Sequence, residues 1–149
     1  TFLNARLNDG SIGNAEIEAD AAIAASKLEH CHRQTYAQES GTTAATETKV
    51  VHIVKGATGT LKSIQAGCVT ACIGDSTITV DLLVNGASVL TAAFDLSSSE
   101  SAYELVDGTI DTDTLAADDV IEVDITATVG TGTLGEGVFV SVDLYEDAA

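Results

Sequence analysis

Three residues that can bind a metal ion stand side by side in the sequence, His30, Cys31 and His32. Consecutive side chains point apart on a helix and to opposite faces on a strand, so the triplet cannot converge on one ion. A closed zinc site also needs about four ligands at characteristic spacings, which the remaining His and Cys residues lack. We expect no metal site here unless folding brings distant ligands together. The triplet is interpreted as a junction between two regions, with two imidazoles that could sense pH.

Five aspartates close together form a second candidate site. Loop carboxylates are common ligands of Ca²⁺, which takes six to eight oxygen atoms. The run lacks the D-x-D-x-D-G-x5-E order of an EF-hand loop. A solvated acidic rim is therefore the favoured interpretation, and a calcium site is the weaker one. The five residues are Asp107, Asp111, Asp113, Asp118 and Asp119.

The segment from Gly130 to Gly135 has the pattern G-x-G-x-x-G. In a dinucleotide site this pattern follows a strand, opens a helix and precedes an acidic residue about 20 positions further on. Here another strand-like segment follows, so no helix N-terminus is expected to hold a pyrophosphate. The pattern predicts a Gly/Thr hairpin loop that joins the last two strands. We expect no bound cofactor.

Nucleophilic catalysis has little support in the sequence. No G-x-S-x-G elbow is present, and no recognisable catalytic motif flanks any of the three His residues. Two of the 23 acidic residues could meet as a glycosidase pair. Three Phe, three Tyr and no Trp are few aromatics for a cleft that stacks on sugars. We expect that the chain is not an enzyme.

The charge of the chain excludes several partners. Its 149 residues include 23 Asp and Glu against 6 Lys and Arg, a net charge of −17. Six scattered cations cannot form the basic face that nucleic acid or an anionic membrane requires. No apolar run approaches the ~18 residues of a transmembrane helix, and no signal-peptide core is found. The odd count of three Cys predicts free thiols in a protein made in a reducing cytoplasm.

Residues 1–33 differ from the rest of the chain, and we expect them to form an N-terminal arm. Large aliphatic side chains recur there at intervals of five or six residues, which fits neither the period of a helix nor that of a strand. A short amphipathic helix and an extended arm with bends both remain open. Alone, these side chains cannot make a core, so the arm must dock on its own body, a sister subunit or another protein. They are Ile12, Ile17, Ile23 and Leu28.

Residues 34–149 are expected to form an all-β domain, an antiparallel β-sandwich or jelly roll of about seven or eight strands. Apolar and polar residues alternate with period 2 in four segments and less regularly in three more. The four are 76–84, 89–96, 119–129 and 137–146, and the three are 49–55, 60–67 and 102–106. Asn85-Gly86 is the strongest hairpin signal, because both residues tolerate positive φ in a type I′ turn. Asp107-Gly108 is a second candidate turn.

Two stretches of this domain resemble a known family. The segments DSTITVDLLVNGASVLTAAFDL and DTDTLAADDVIEVDITATVGTGTLGEGVFVSVDLYED are similar to the small jelly-roll decoration (cement) proteins on the heads of tailed bacteriophages. The upstream segment GSIGNAEIEADAAIAASKL resembles short linker repeats of phage fibre and head-surface proteins. The resemblance implies a homotrimer on the outer surface of the virion, bound to the major capsid protein, with an arm that reaches neighbouring subunits.

Two functions from different classes follow. In the first, the chain is a structural protein that stabilises the shell, and the four aliphatic residues of the arm make the capsid and subunit contacts. In the second, it is a fibre or baseplate module that recognises host glycans, with Ca²⁺ in the Asp107–Asp119 loop. The scarcity of aromatics favours the first. Apolar residues predicted on outer faces, Leu83, Val120 and Phe139, are consistent with burial in a trimer or with isolated surface hydrophobes.

Overall fold

The structure, a computed structural model, describes residues 30–147, and these form twelve β-strands and no helix. Six strands have seven residues or more, and the other six have two or three. The strands are β1 (His30–Ala37), β2 (Glu47–Ile53), β3 (Thr58–Thr70), β4 (Ile73–Gly74), β5 (Thr77–Val84), β6 (Ala87–Ser88), β7 (Phe94–Leu96), β8 (Val106–Gly108), β9 (Thr114–Ala116), β10 (Val120–Thr128), β11 (Gly132–Thr133) and β12 (Glu136–Glu146). The described residues contain no helix long and apolar enough to cross a membrane.

The strands form two large antiparallel sheets and one small one. Sheet A has the order β1-β12-β3-β8, with β9 also paired to β3. Sheet B has the order β2-β10-β5-β6, with β7 also paired to β5. A two-stranded sheet pairs β11 with β4. Sheets A and B share one hydrophobic core, which confirms the predicted all-β, antiparallel β-sandwich.

The core is built from aliphatic side chains of both sheets. Alternation along β5, β10 and β12 turns every second residue inward, and most residues of the predicted inward stripes are buried. Val84 and Ala127 are half-buried, and the prediction is wrong for Val129, which follows the end of β10 and is exposed. Burial of one such side chain contributes about 1.5–3 kcal/mol. The largest fully buried side chains, none of them aromatic, are Ile64, Ile78, Leu82, Ile121, Ile125, Leu144, Val54, Val80, Val123, Val138, Val140 and Val142.

The prediction of one continuous strand over residues 89–96 is wrong for residues 89–93. The chain leaves sheet B after β6 and returns only at β7. Between them, Leu90 forms a bridge with Ile110, and the N–H of Thr91 donates to the carbonyl of Thr109. Because residues 109–111 satisfy the backbone here, the chain need not continue along β5, and Ala92 is exposed.

Turn chemistry was predicted correctly at one Asx-Gly pair and wrongly at the other. Asn85 and Gly86 have φ values of 53° and 79° and join β5 to β6, as predicted. Asp107 and Gly108 instead lie within β8, and residues 102–105 are not a strand. A Cβ at Gly108 would lie 2.7 Å from both Ile64 Cγ2 and Phe94 Cε1. This glycine therefore permits close packing rather than a turn.

The glycine-rich segment 130–135 is not the predicted hairpin loop. It connects β10 in sheet B to β12 in sheet A, so it crosses between the layers. On the way Gly132 and Thr133 form β11 against β4. Gly132 has a φ of 152°, and a Cβ there would lie 1.9 Å from the carbonyl oxygen of Ile73. The glycine is needed for this close backbone approach.

The first described strand begins inside the segment that the sequence analysis assigns to the arm. β1 starts at His30, and its eight residues pair in register with β12, from His30 opposite Glu146 to Ala37 opposite Phe139. Residues 30–33 thus belong to sheet A in the structure. The arm itself stays a prediction, because Ile12, Ile17, Ile23 and Leu28 lie outside the described residues.

Candidate functional site

The five aspartates proposed as calcium ligands do not converge. Asp107 accepts a hydrogen bond from Gln65 Nε2 at 2.7 Å on the outer side of sheet A. Asp118 pairs with the Lys55 ammonium at 2.7 Å, which lowers the pKa of this carboxyl group. Asp119 instead accepts hydrogen bonds from Asn85 Nδ2 and from the backbone N–H of Ala116. Within residues 30–147, no three His, Cys, Asp or Glu side chains are arranged to hold a metal ion.

The His-Cys-His triplet lies at the start of β1. His30 and His32 share the inward side of the strand, since they stand opposite Glu146 and Leu144, whereas Cys31 is on the outer side opposite Tyr145. The rings of His30 and His32 have centroids 6.4 Å apart. Folding adds a third imidazole that sequence spacing does not reveal, because His52 of β2 lies with its ring centroid 5.1 Å from that of His32.

His52 connects the two sheets through Glu146. Its Nε2 contacts Glu146 Oε1, and its Nδ1 lies 3.1 Å from Gln34 Nε2 of β1. The second carboxylate oxygen of Glu146 accepts the backbone N–H groups of Lys55 at 3.0 Å and Gly56 at 2.6 Å. Burial would raise the pKa of Glu146, but the hydrogen bonds from His52, Gly56 and Lys55 outweigh it, so the pKa lies below its ordinary value.

The sequence dictates the burial of Glu146. It follows Val142 and Leu144 at intervals of two on β12, so the alternation turns it into the same inward stripe. Only 4% of Glu146 is exposed, and a buried carboxylate must be hydrogen-bonded. Gly56 allows this, because a Cβ there would lie 2.2 Å from the carbonyl oxygen of Asp147. The loop after β2 can therefore bring its N–H groups up to the carboxylate.

A second polar contact between the sheets lies further along the same edge. The Tyr36 hydroxyl of β1 donates to Glu47 Oε1 of β2, and Gln38 Nε2 donates to the same oxygen at 2.7 Å. Burial and the hydrogen bond from Tyr36 to Glu47 raise the pKa of Tyr36 to about 12. We call the polar residues that join the two edge strands the edge cluster, and they are Gln34, Tyr36, Gln38, Glu47, His52 and Glu146.

The outer faces of the two sheets differ in charge. On sheet A, Arg33 binds both carboxylate oxygens of Asp143, at 2.6 and 2.7 Å, and Lys62 Nζ lies 4.9 Å from the centre of the Tyr145 ring. On sheet B, the outward positions of β5, β7 and β10 carry acids and no Lys or Arg. Those acids are Asp81, Asp95, Glu122 and Asp124.

All three cysteines are free thiols, and the two buried ones lack the features of a nucleophile. Burial raises the pKa of Cys68 to about 12, so its thiol stays protonated and unreactive near neutral pH. Cys72 is also buried and accepts the backbone N–H of Gly135 at 3.2 Å, whereas Cys31 is exposed on the outer side of β1. An open depression of about 360 Å³ beside Val129 holds one carboxylate, Glu136, and neither His nor Cys.

Comparisons with known proteins give only low structural similarity. No protein-family model matches the chain, and no curated protein sequence matches it. Among solved structures, it is similar to a chain of the "Cyanophage Pam1 capsid asymmetric unit", with 15% identity and a TM-score of 0.44 over 79% of this chain and 84% of that chain. It is also similar to dimeric latent PorU from Porphyromonas gingivalis, with 15% identity and a TM-score of 0.35 over 78% of this chain and 13% of that chain. Neither likeness assigns a family.

Proposed function

We propose that this chain is a structural protein of a tailed-phage virion, a head decoration (cement) protein without catalytic activity. It binds the major capsid protein on the outer surface of the shell as a homotrimer. The proposal rests on the sequence resemblance and on one structural observation. The strand that directly follows residues 1–29 is paired along all eight of its residues with β12 and is tied to sheet B by the edge cluster.

This attachment suits a protein that is held by its N-terminal segment. A pull on residues 1–29 acts first on β1. The backbone hydrogen bonds to β12 and the contacts of Gln34 and Tyr36 with β2 then share the load between the two sheets. An arm attached in this way transmits force to a rigid body. Its contact residues are Ile12, Ile17, Ile23 and Leu28.

Binding of this kind stabilises a shell by linkage. A protein that binds the assembled shell and not its dissociated subunits shifts the equilibrium towards assembly. Three arms on one trimer make the second and third contacts effectively intramolecular, so weak individual contacts add to a strong attachment. The acidic outer face of sheet B points to solvent in this arrangement and keeps the surface soluble and repulsive to other anionic particles.

The test is cosedimentation with heads assembled from the major capsid protein of the encoding virus. The deletion that removes residues 1–29 is the informative one, because a deletion through residue 33 would also remove half of β1. We expect the intact chain to bind and to raise the temperature at which the heads dissociate, and we expect the deletion and the full-length variant Ile17→Asp to lose both effects. Val129→Asp, at a residue 69% exposed on the body, is the matched control and should bind normally.

Three outcomes contradict the proposal. Undiminished binding by the deletion variant would remove the arm as the contact element. A monomer in light scattering at micromolar concentration would remove the trimer. Glycan binding that a chelator weakens, without head binding, would support the fibre or baseplate alternative instead.

A further inference from the structure

Three imidazole rings form a row at the start of β1, and the first of them contacts one buried carboxylate. Glu146 contacts His52, the His52 ring lies 5.1 Å from the His32 ring, and the His32 ring lies 6.4 Å from the His30 ring. The row crosses three strands, since Glu146 belongs to β12, His52 to β2, and the other two to β1. The row therefore connects the start of β1, at the edge of sheet A, to β2 of sheet B.

The other charged groups around the row are engaged elsewhere. The Lys55 ammonium pairs with Asp118, and Arg33 pairs with Asp143 on the outer side of sheet A. Further along β2, Lys49 pairs with Glu47, which also accepts the Tyr36 hydroxyl. Asp147 accepts the hydroxyl of Thr58 at 2.5 Å. Among the described residues, Glu146 is the carboxylate in contact with these imidazoles.

We propose that His30, His32, His52 and Glu146 form a pH-sensitive latch that holds the start of β1 against the sandwich at neutral pH and releases it in mild acid. The inference goes beyond the proposed function and does not depend on a capsid. Its consequence is that the attachment of residues 1–29 to the body weakens as the imidazoles become charged.

The charges decide the direction of the effect. Imidazole titrates within the range from about pH 5 to 8. A positive charge on His52 is compensated, because Glu146 is in contact with that ring. Protons on His32 and His30 add positive charge to the same row, and within residues 30–147 no other carboxylate is in contact with these rings. His32 is half-buried and its ring lies 5.1 Å from that of His52, and like charges at this distance repel strongly where solvent is partly excluded. His30 is exposed and adds less. Because His32 and His30 both lie on β1, β1 is the strand that moves away.

A spin label on Cys31 tests this in the intact chain. Cys31 is exposed on the outer side of β1, whereas Cys68 and Cys72 are buried, so a thiol-reactive label is selective within the described part of the chain. Electron paramagnetic resonance should show a mobile component that grows between about pH 7.5 and pH 5.5. The ratio of mobile to immobile label should rise by up to about tenfold per pH unit for each coupled proton.

The variant His32→Gln should keep a folded chain and abolish most of this response, because glutamine cannot become charged. The matched control moves the label to the other end of the same strand, in the double variant Cys31→Ser, Ala37→Cys, where mobility should not change with pH. The latch is overturned if the Cys31 label has the same mobility at both pH values or if His32→Gln responds like the wild type. It is equally overturned if the Ala37 position responds as strongly, since acid would then loosen the whole strand.

Discussion

The two sheets are joined in different ways at the centre of the sandwich and at its β1–β2 edge. At the centre, aliphatic side chains such as Val80, Ile125 and Val140 meet with 0–2% exposure and no polar partner. At the edge, hydrogen bonds cross the gap, from Tyr36 to Glu47 and between His52 and Glu146. One interface is dry and non-directional, and the other is polar and directional.

The two kinds of contact respond differently to pH. Burial of apolar surface does not depend on pH, and it keeps the sheets together under any condition that preserves the core. The edge contacts change with the charge of His52 and Glu146, and they lie where the N-terminal segment enters the body. The centre therefore contributes stability that does not depend on pH, and the edge contributes stability that depends on charge and sets how firmly β1 is held.

The largest expected effect lies at the centre. Ile125→Ala should destabilise the fold by about 3–4 kcal/mol, because it leaves a cavity in a fully buried part of the core. Urea unfolding measures the loss, and Ile125→Val should cost only about 1 kcal/mol. A loss that varies with pH between neutrality and mild acid would break the distinction between centre and edge.

At the edge, Glu146→Gln should cost about 2–3 kcal/mol, since it leaves His52 and two backbone N–H groups with a weaker acceptor in a buried site. The matched control is Glu122→Gln on the outer face of sheet B, which should leave the free energy of unfolding almost unchanged. Equal effects of the two substitutions would mean that the edge contact does not hold the sheets together.

Stability should depend on pH through the edge contact of Glu146. The pKa of Glu146 in the folded chain lies below its ordinary value of 4.5, so the ionised form stabilises the fold above that pH. The contribution is lost as the pH falls through the lowered folded value. The difference in unfolding free energy between wild type and Glu146→Gln should persist down to about pH 5 and shrink in stronger acid. A difference that grows in strong acid would contradict the assigned role of the carboxylate.

Tyr36→Phe should have a smaller effect, about 1 kcal/mol, because it removes one hydrogen bond to Glu47 and keeps the ring. Thermal unfolding followed by circular dichroism is sufficient to detect it. Tyr103→Phe, at a residue 67% exposed, is the control and should not change the midpoint.

The smallest expected effect is on the outer face of sheet A. Arg33 and Asp143 form a bidentate pair in which the arginine side chain is 70% exposed, and exposed pairs contribute little. Arg33→Gln should not measurably shift the thermal midpoint. A clear drop would show that β1 is held through its outer face as well as through the edge cluster.

The sequence predicts the centre of this molecule far better than the edge. β5, β10 and β12 follow from the alternation of Ile, Val and Leu with Thr, Ser and Asp, because a half-buried strand imposes that period. Asn85-Gly86 follows from turn chemistry that depends on two adjacent residues. These signals are local, and they are sufficient for the fold class and most of the core.

Edge contacts and chain crossings depend on partners that are distant in sequence. His52 and Glu146 are 94 positions apart, and no local period shows that their strands meet at one side of the sandwich. The break after β6 depends on backbone groups of residues 109–111, and the need for a glycine at position 108 in β8 depends on Ile64 and Phe94. Such features are set by packing between the layers, and only the three-dimensional structure places them.

The proposed function requires that this sandwich is a passive body attached to a larger shell through the segment before β1. Electron cryomicroscopy of heads from the encoding virus, saturated with the intact chain, would show the attachment itself. We expect sandwich-shaped density on the outer surface, three copies around each site, with the start of β1 directed towards the shell. A bare shell at saturating concentration, or bodies that contact it only through the acidic face of sheet B, would contradict it.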